Sequence, residues 1–501
     1  MNSKAGPKLM KLLERQPSKQ TRVSVNIAMT LHPASLLHRA DINPKRTQEQ
    51  QRITILRASE QIKQSQIEFL ARISDRIQGK VRHIWINNVI NLELPINTIL
   101  ELLQHDDLKL IELDQKLPTS AFLDQPDRLQ SLSRKTPKGK DPSSFRTSSR
   151  SHHNLDSIGA PELWRMGLTG KGILLAVLDT GIEKSHPDFA GHLWDGGSTC
   201  PEHGWDTVID SSSTVDIDGH GTYSAGIAAG IHTGVAPDAT IMAVKVLHHA
   251  SERGAALNSE ACIWAGFDFA IEHGAHAISM SLSIKHADSP SYTMWRTMSE
   301  TLFACNVPVV VSTGKLGNKA SDVTHSSCIP NNIPAPANCP PPWLHEEQKA
   351  IAVGGLSAVI ACGGCNKVSE LKDYSGVGPS TWHDYLYTMS GTGLLKPDLV
   401  APSTDIITTK PITTLSPQNY TRFWGTSAAT PHVAGAVALL MQACTEASLA
   451  MMPVDKILHA LSVNSRALVG QLMAGKLQNG FGSGRIHIPN AYNHGKLEGW
   501  W

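Results

Sequence analysis

Hydrophobic and polar positions change period several times along this chain, and each change marks an element. From Val23 through Val25, Ile27 and Met29 to Leu31, apolar side chains alternate with smaller or polar ones, the period of a strand with one buried face. Ile55, Ile62, Phe69 and Ile73 then form one apolar stripe at helical spacing. Two strand-like runs between Val81 and Leu94, a short helix from Ile96 to Leu103 and a last strand over Leu108 to Leu113 complete a β-α-β-β-α-β order. Periodicity disappears over residues 116–150, where Ser, Pro, Lys and Arg accumulate, as in Arg134-Lys-Thr-Pro-Lys-Gly-Lys140. Such composition predicts an exposed, flexible linker, a place where chains are readily cut.

From Gly172 onward the pattern becomes short apolar runs separated by helical segments. Ile173–Leu178, Ile241–Leu247, Ala277–Leu282, Val307–Ser312 and Ala350–Val353 are predicted strands, with helices over Asn258–His273 and Tyr292–Cys305. Alternation of this kind predicts βαβ units and a parallel sheet covered by helices on both faces. A buried helix follows across Ala428–Leu440, then an amphipathic one after Pro453. The chain therefore divides into an N-terminal extension (1–21), a small α+β domain (22–115), a linker (116–150) and a larger α/β domain (151–495).

Composition narrows the functional classes. With 45 Lys and Arg against 44 Asp and Glu there is no basic footprint of the kind nucleic acid requires. No run approaches the roughly 18 apolar residues of a membrane-spanning helix, so a membrane partner is not expected either. The stretch Met1–Arg15 starts basic but lacks a continuous apolar centre, which points to a cytoplasmic protein, with export by another route as the alternative. The cysteines are scattered; the one close pair, Cys362-Gly-Gly-Cys365, has no second pair at zinc spacing and reads as a surface loop rather than a metal site.

Chemistry concentrates in three separate stretches. Val177-Leu-Asp-Thr-Gly181 places Asp179 at the carboxyl end of a predicted strand, where open α/β sheets collect their active sites. Asp218-Gly-His-Gly-Thr222 opens a helix with His220. Gly425-Thr-Ser-Ala-Ala-Thr-Pro-His432 presents Ser427 at the start of a buried helix, whose free N–H groups favour developing negative charge. Thr430-Pro431 is expected within that helix's first turn. A serine hydroxyl needs a histidine base and a carboxylate that orients it. Asp179, His220 and Ser427 supply all three.

Their chain order, Asp then His then Ser, is that of the subtilisin-like enzymes and differs from chymotrypsin-like and α/β-hydrolase orders. The three motifs, with Asp179-Thr-Gly-Ile-Glu-Lys-Ser-His-Pro-Asp188 extending the first, resemble those of the subtilisin-like (S8) serine peptidases over about Leu155–Ala491. The resemblance implies an endopeptidase working through an acyl-enzyme on protein or peptide substrates, with no cofactor required for chemistry and structural Ca2+ as a family possibility. It implies that Ser281-Leu282-Ser283 pairs with substrate, Gly314 lining the same groove, although Ser283 stands where the family has glycine. It also implies an oxyanion-binding asparagine where this chain has Lys315, leaving Lys315 itself, Asn318, or the backbone of Ser427 alone as donor. The rival reading is a weakly active or inactive peptide-binding protein of the same fold. Residues 22–115 resemble the inhibitor I9-like propeptide domain of these enzymes, with Ile84-Trp-Ile-Asn-Asn-Val89 and Leu108-Lys-Leu-Ile-Glu-Leu113 carrying the likeness, which implies a zymogen whose partner is its own propeptide.

Overall fold

The computed structural model describes residues 3–37, 48–119, 122–123, 152–249, 251–252, 258–284, 292–314, 333–341, 357–380, 394–412, 419–447, 453–471 and 479–501. A short helix α1 (Pro7–Leu13) precedes strand β1 (Arg22–Met29), helix α2 (Gln48–Ala71), strands β2 (Arg82–Ile84) and β3 (Val89–Pro95), helix α3 (Ile96–Leu102) and strand β4 (Leu108–Leu113). The four strands form an antiparallel sheet in the order β2-β3-β1-β4. Its alternation is the one written in the sequence: Val25 and Ile27 are fully buried against Ile90, Leu92 and Phe69 of α2. Glu112 on β4 closes the N-terminal helix, accepting hydrogen bonds from the N–H groups of Lys8 at 3.2 Å and Leu9 at 2.9 Å.

The larger unit opens with helices α4 (His153–Ile158) and α5 (Ala160–Arg165) and then alternates. Strand β5 (Leu174–Asp179) and the short β6 (Gly204–Asp206) lead to helix α6 (His220–Ala229). Next come β7 (Thr240–Lys245), α7 (Glu260–Glu272), β8 (Ala277–Met280), α8 (Tyr292–Cys305) and β9 (Val309–Ser312). Strands β10 (Val359–Cys365) and β11 (Leu399–Pro402) complete a seven-stranded parallel sheet in the order β11-β10-β9-β8-β5-β7-β6. A two-stranded ribbon, β12 (Ile406–Thr409) with β13 (Tyr420–Phe423), hands the chain to the long helix α9 (Thr426–Glu446), followed by α10 (Val454–Val463) and α11 (Ile488–Leu497).

Strand β5 shows how the sheet divides the core. Ala176 and Leu178 face one apolar cluster with Trp264, Phe267 and Met298 of α7 and α8, while Leu175 and Val177 face the other with Ala225 and Ala228 of α6 and Val433 and Ala436 of α9. The N-terminal unit joins the first cluster, through Trp85 and Ile86. Asp268 of α7 accepts hydrogen bonds from the backbone N–H of Trp85 at 2.8 Å and of Ile86 at 2.9 Å.

Two expectations need correction. Cys362-Gly-Gly-Cys365 is not a surface loop but the end of β10, paired along its length with β11 and at Cys362 also with β9, and buried throughout. Its glycines mislead a reading by composition because they serve close packing: a Cβ on Gly364 would lie 2.5 Å from Ser403 Oγ. Nor is the start of the linker free. Leu117 N–H donates to the Asn258 carbonyl, Thr119 Oγ1 to the His248 carbonyl at 2.5 Å, and Phe122 is 1 % exposed inside the first apolar cluster. The polar, basic composition belongs to the later part of that stretch; at its start Phe122 and Leu123 are apolar and buried. The strand expected at Ala350–Val353 lies outside the described residues. Gly364→Ala is expected to destabilise the fold by about 1–3 kcal/mol through overpacking, read as a lower thermal unfolding midpoint.

Candidate active site

Strand β5 has β7 on one side and β8 on the other, so the sheet reverses its direction of growth beside it, the crevice in which open α/β sheets bind ligands. Asp179 is the last residue of β5. Helix α6 begins beside it: Gly219, at φ 97°, turns the chain in, and Gly221 lets the first turn press onto the strand end. A Cβ on Gly221 would stand 2.1 Å from the Gly181 carbonyl oxygen. Only a glycine fits there. The result is that His220 Nδ1 lies 2.7 Å from Asp179 Oδ1.

That contact defines the imidazole's tautomer. A carboxylate can only accept, so Nδ1 carries the proton and Nε2 is left as the basic nitrogen. Nε2 makes no hydrogen bond to any described protein atom. Asp179 Oδ1 also accepts from the Thr180 N–H at 2.8 Å. Phe423 stands edge-on to the ring with centroids 5.4 Å apart, and His220 is 3 % exposed. Burial opposes charging of His220 most strongly, but the charge and hydrogen bond of Asp179, with Asp218 and Asp216, outweigh it and leave the pKa above the ordinary imidazole value.

Ser427 is the second residue of α9, behind Gly425 at φ 109°, and α9 packs along α6. Its Oγ donates to the Ser281 carbonyl at 3.1 Å, and Ser281 Oγ donates to the Ser427 carbonyl at 3.0 Å. Pro431 explains the second bond. It is the sixth residue of α9, not within the first turn as expected, and it lacks the N–H that would have reached the Ser427 carbonyl. Ser281 takes over as donor. The remaining predicted substrate-binding residues gather here too: Ser281, Leu282 and Ser283 follow β8 and are buried, a Cβ on Gly314 would lie 3.2 Å from Ser283 Oγ, and Thr426 Oγ1 reaches the Gly314 carbonyl at 3.4 Å. Ser283 N–H donates to the Phe122 carbonyl at 3.1 Å. Lys315 and Asn318 lie outside the described residues.

Other residues were less visible in the sequence. Asp216 is a buried carboxylate that binds Thr180, Gly219 and Thr222 around the start of α6; its signal was an aspartate just ahead of a helix N-terminus. His432, inside the serine motif, is not a second base: burial drives it down to about 4, with Nδ1 on the Ala428 carbonyl and Nε2 on Asn154 Nδ2 at 2.8 Å. Among the described residues no three His, Cys, Asp or Glu converge as ligands, and buried Asp188 is already held by His232, Thr233 Oγ1 and Tyr420 OH. No described helix is long and apolar enough to cross a membrane.

Comparison with known proteins agrees with the fold. The family profile described as "Subtilase family" matches residues 170–484. The chain is 31% identical over 288 residues to the "Major intracellular serine protease" of Bacillus subtilis (strain 168), covering 56% of this chain and 72% of that one. It is 32% identical over 293 residues to "Subtilisin BL" of Lederbergia lenta, covering 58% and 83%. With the "M-protease" of Shouchella clausii (strain KSM-K16) it shares 28% identity over 345 residues, 68% of each chain. Fold and comparison together define a serine endopeptidase. The chain belongs to the subtilase family.

Replacing Ser281 by alanine orphans the buried Ser427 carbonyl, so Ser281→Ala is expected to cost about 1–3 kcal/mol of stability and to slow fluorophosphonate labelling, measured by unfolding midpoints and labelling rates.

Proposed function

We propose that this serine endopeptidase works through Asp179, His220 and Ser427 and is made as a zymogen inhibited by its own N-terminal unit. The observation that carries the first part is the 2.7 Å bond from His220 to Asp179, which leaves Nε2 basic beside the helix that bears Ser427. Ser427 Oγ turns from the Ser281 carbonyl toward His220 Nε2, loses its proton to it and attacks the peptide carbonyl. Oxygen's new negative charge develops at the N-terminus of α9, where the Ser427 N–H has no helical partner. His220, now cationic and stabilised by Asp179, protonates the leaving amine, and water hydrolyses the acyl-enzyme by the same base.

Support for the zymogen comes from what the N-terminal unit covers. Besides the bonds to Asp268, Arg82 donates to the carbonyls of Thr207 at 2.7 Å and Val208 at 2.8 Å, Lys63 pairs with Glu272 at 2.5 Å and His32 with Glu300 at 2.7 Å. The tail then passes Asn258 and His248 to reach Ser283 with the Phe122 carbonyl. An extended chain pairing with this edge is how a peptide substrate would be held. The tail occupies substrate's position until the chain is cut beyond it.

Fluorophosphonate labelling of the processed chain, lost in Ser427→Ala, tests the nucleophile. Failure of the folded, processed chain to label would return the inactive peptide-binding reading. Because catalysis needs neutral His220 and its pKa is raised, kcat/KM is expected to increase with pH through a midpoint above about 6.5; a midpoint well below it would count against the pairing with Asp179. Uncut chain should label far more slowly than processed chain, and Asp268→Ala, which orphans two buried N–H groups at the contact, should narrow that difference.

A further inference from the structure

Asp216 lies in no motif that the chemistry above uses, yet it is 5 % exposed and saturated with donors. Its Oδ1 accepts from Thr180 Oγ1 at 2.8 Å and the Gly219 N–H at 2.8 Å. Its Oδ2 accepts from the Thr222 N–H at 2.8 Å and Thr222 Oγ1 at 2.6 Å. Thr180 Oγ1 in turn accepts from the Gly221 N–H at 2.9 Å. These partners are the residue after Asp179 and the residues on either side of His220. One carboxylate and one hydroxyl therefore tie the end of β5 to the first turn of α6.

We infer that Asp216, acting through Thr180 and the first turn of α6, is a positioning residue that holds the His220 imidazole on Asp179 in its reactive orientation. The inference rests on the triad reading. A role limited to stability fits poorly with the electrostatics of the site. Burial pushes the Asp216 carboxyl up to about 6, against the hydrogen bonds from Thr222, Gly219 and Thr180 that favour its charge. Since the folded-state pKa is raised, the ionised carboxylate is disfavoured by folding as pH rises through that value, and the charge is retained at neutral pH at a cost to the fold. What it provides in return is geometry and a second negative charge near the imidazole.

The charged and titratable groups around it are identifiable. Asp179 on β5 is joined to it through Thr180, whose N–H binds Asp179 and whose hydroxyl binds Asp216, while Asp218 precedes α6 in the chain, with His249 Nε2 3.9 Å from Asp218 Oδ2. Tyr223 of α6 has its phenol pushed up by burial and by Asp216 and Asp218. From β7, Lys245 Nζ binds the Val215 carbonyl at 2.6 Å and Glu252 at 2.6 Å, fixing the strand of chain that carries Asp216.

Steady-state kinetics of the processed enzyme on a chromogenic peptide test this, with Asp216→Asn, Thr180→Val and Thr180→Ser compared across pH. Asp216→Asn and Thr180→Val are expected to lower kcat about 10- to 100-fold, as a small misplacement of a catalytic group does, with KM within about twofold of native. Thr180→Ser keeps the hydroxyl and should restore kcat. Removing the negative charge in Asp216→Asn should also shift the acid limb of kcat/KM toward lower pH by a few tenths of a unit. If Asp216→Asn does not fold, the Thr180 pair decides by the presence or absence of rescue. Either kcat within about threefold of native in both Asp216→Asn and Thr180→Val, or a loss carried by KM, or an acid limb unmoved in Asp216→Asn, or no rescue by Thr180→Ser, overturns the inference. Hydrolysis that survives Ser427→Ala would instead overturn the triad reading itself.

Discussion

The close approach of helix α6 to the end of strand β5 is the constraint from which the rest of the site follows. Asp179 and His220 are forty-one residues apart in sequence and meet at 2.7 Å only because Gly221 has no side chain to hold the Gly181 carbonyl away. The same approach brings Thr180 against the helix's first N–H groups, so the backbone donors that a helix start leaves unsatisfied are absorbed by Thr180 and Asp216. Helix α9 lies along α6 in turn, and its second residue is Ser427. A shift of α6 by one side chain's thickness would break the contact between Asp179 and His220.

Proline 431 shows a second economy of the same kind. A proline six residues into a helix removes one N–H and frees one carbonyl, ordinarily a defect. Here the freed carbonyl belongs to Ser427, and Ser281, at the end of β8, fills it while accepting from the Ser427 hydroxyl through its own carbonyl. The backbone of Ser427 is thereby fastened to Ser281, just beyond the end of β8. Rigidity of the site comes from the sheet as well as from the helix.

Buried carboxylates recur wherever two elements or units must be held in register: Glu112 on α1, Asp216 on α6, and Asp268 on the turn at Trp85. Each accepts backbone N–H groups, which satisfies a charge that could not otherwise be buried. Asp268 has a further consequence, because its partners belong to the N-terminal unit and its helix to the parallel sheet. A parallel sheet is dominated by non-local contacts and forms slowly unaided. On the zymogen reading, an N-terminal unit that binds α7 and lays Phe122 against Ser283 would both favour assembly of that sheet and cover its groove.

Much of this was legible in the chain itself. Period-two and helical patterns marked β1, α2, α3, β4, β5 and α8 because each buries one face or runs apolar throughout, and local repetition records that directly. The three motifs behind the proposed chemistry were legible as patterns, because such chemistry needs particular residue types in fixed local contexts. Strand β10 was misread, since glycines that serve tight packing look the same in sequence as glycines that serve a loop. Phe122 and Leu123 were misread for another reason: the Ser-, Pro- and Lys-rich stretch that follows them sets the composition of the window, but these two side chains enter an apolar cluster built by distant parts of the chain. Asp216 showed only as an aspartate ahead of a helix and Ser281 only through a family resemblance, because the hydrogen bonds they make to Thr180 and Ser427 join residues 36 and 146 positions apart. Sequence alone determined which groups could react and which segments were strands or helices. Tertiary structure decided which of them touch, because contact across a sheet depends on packing distances that no local pattern encodes.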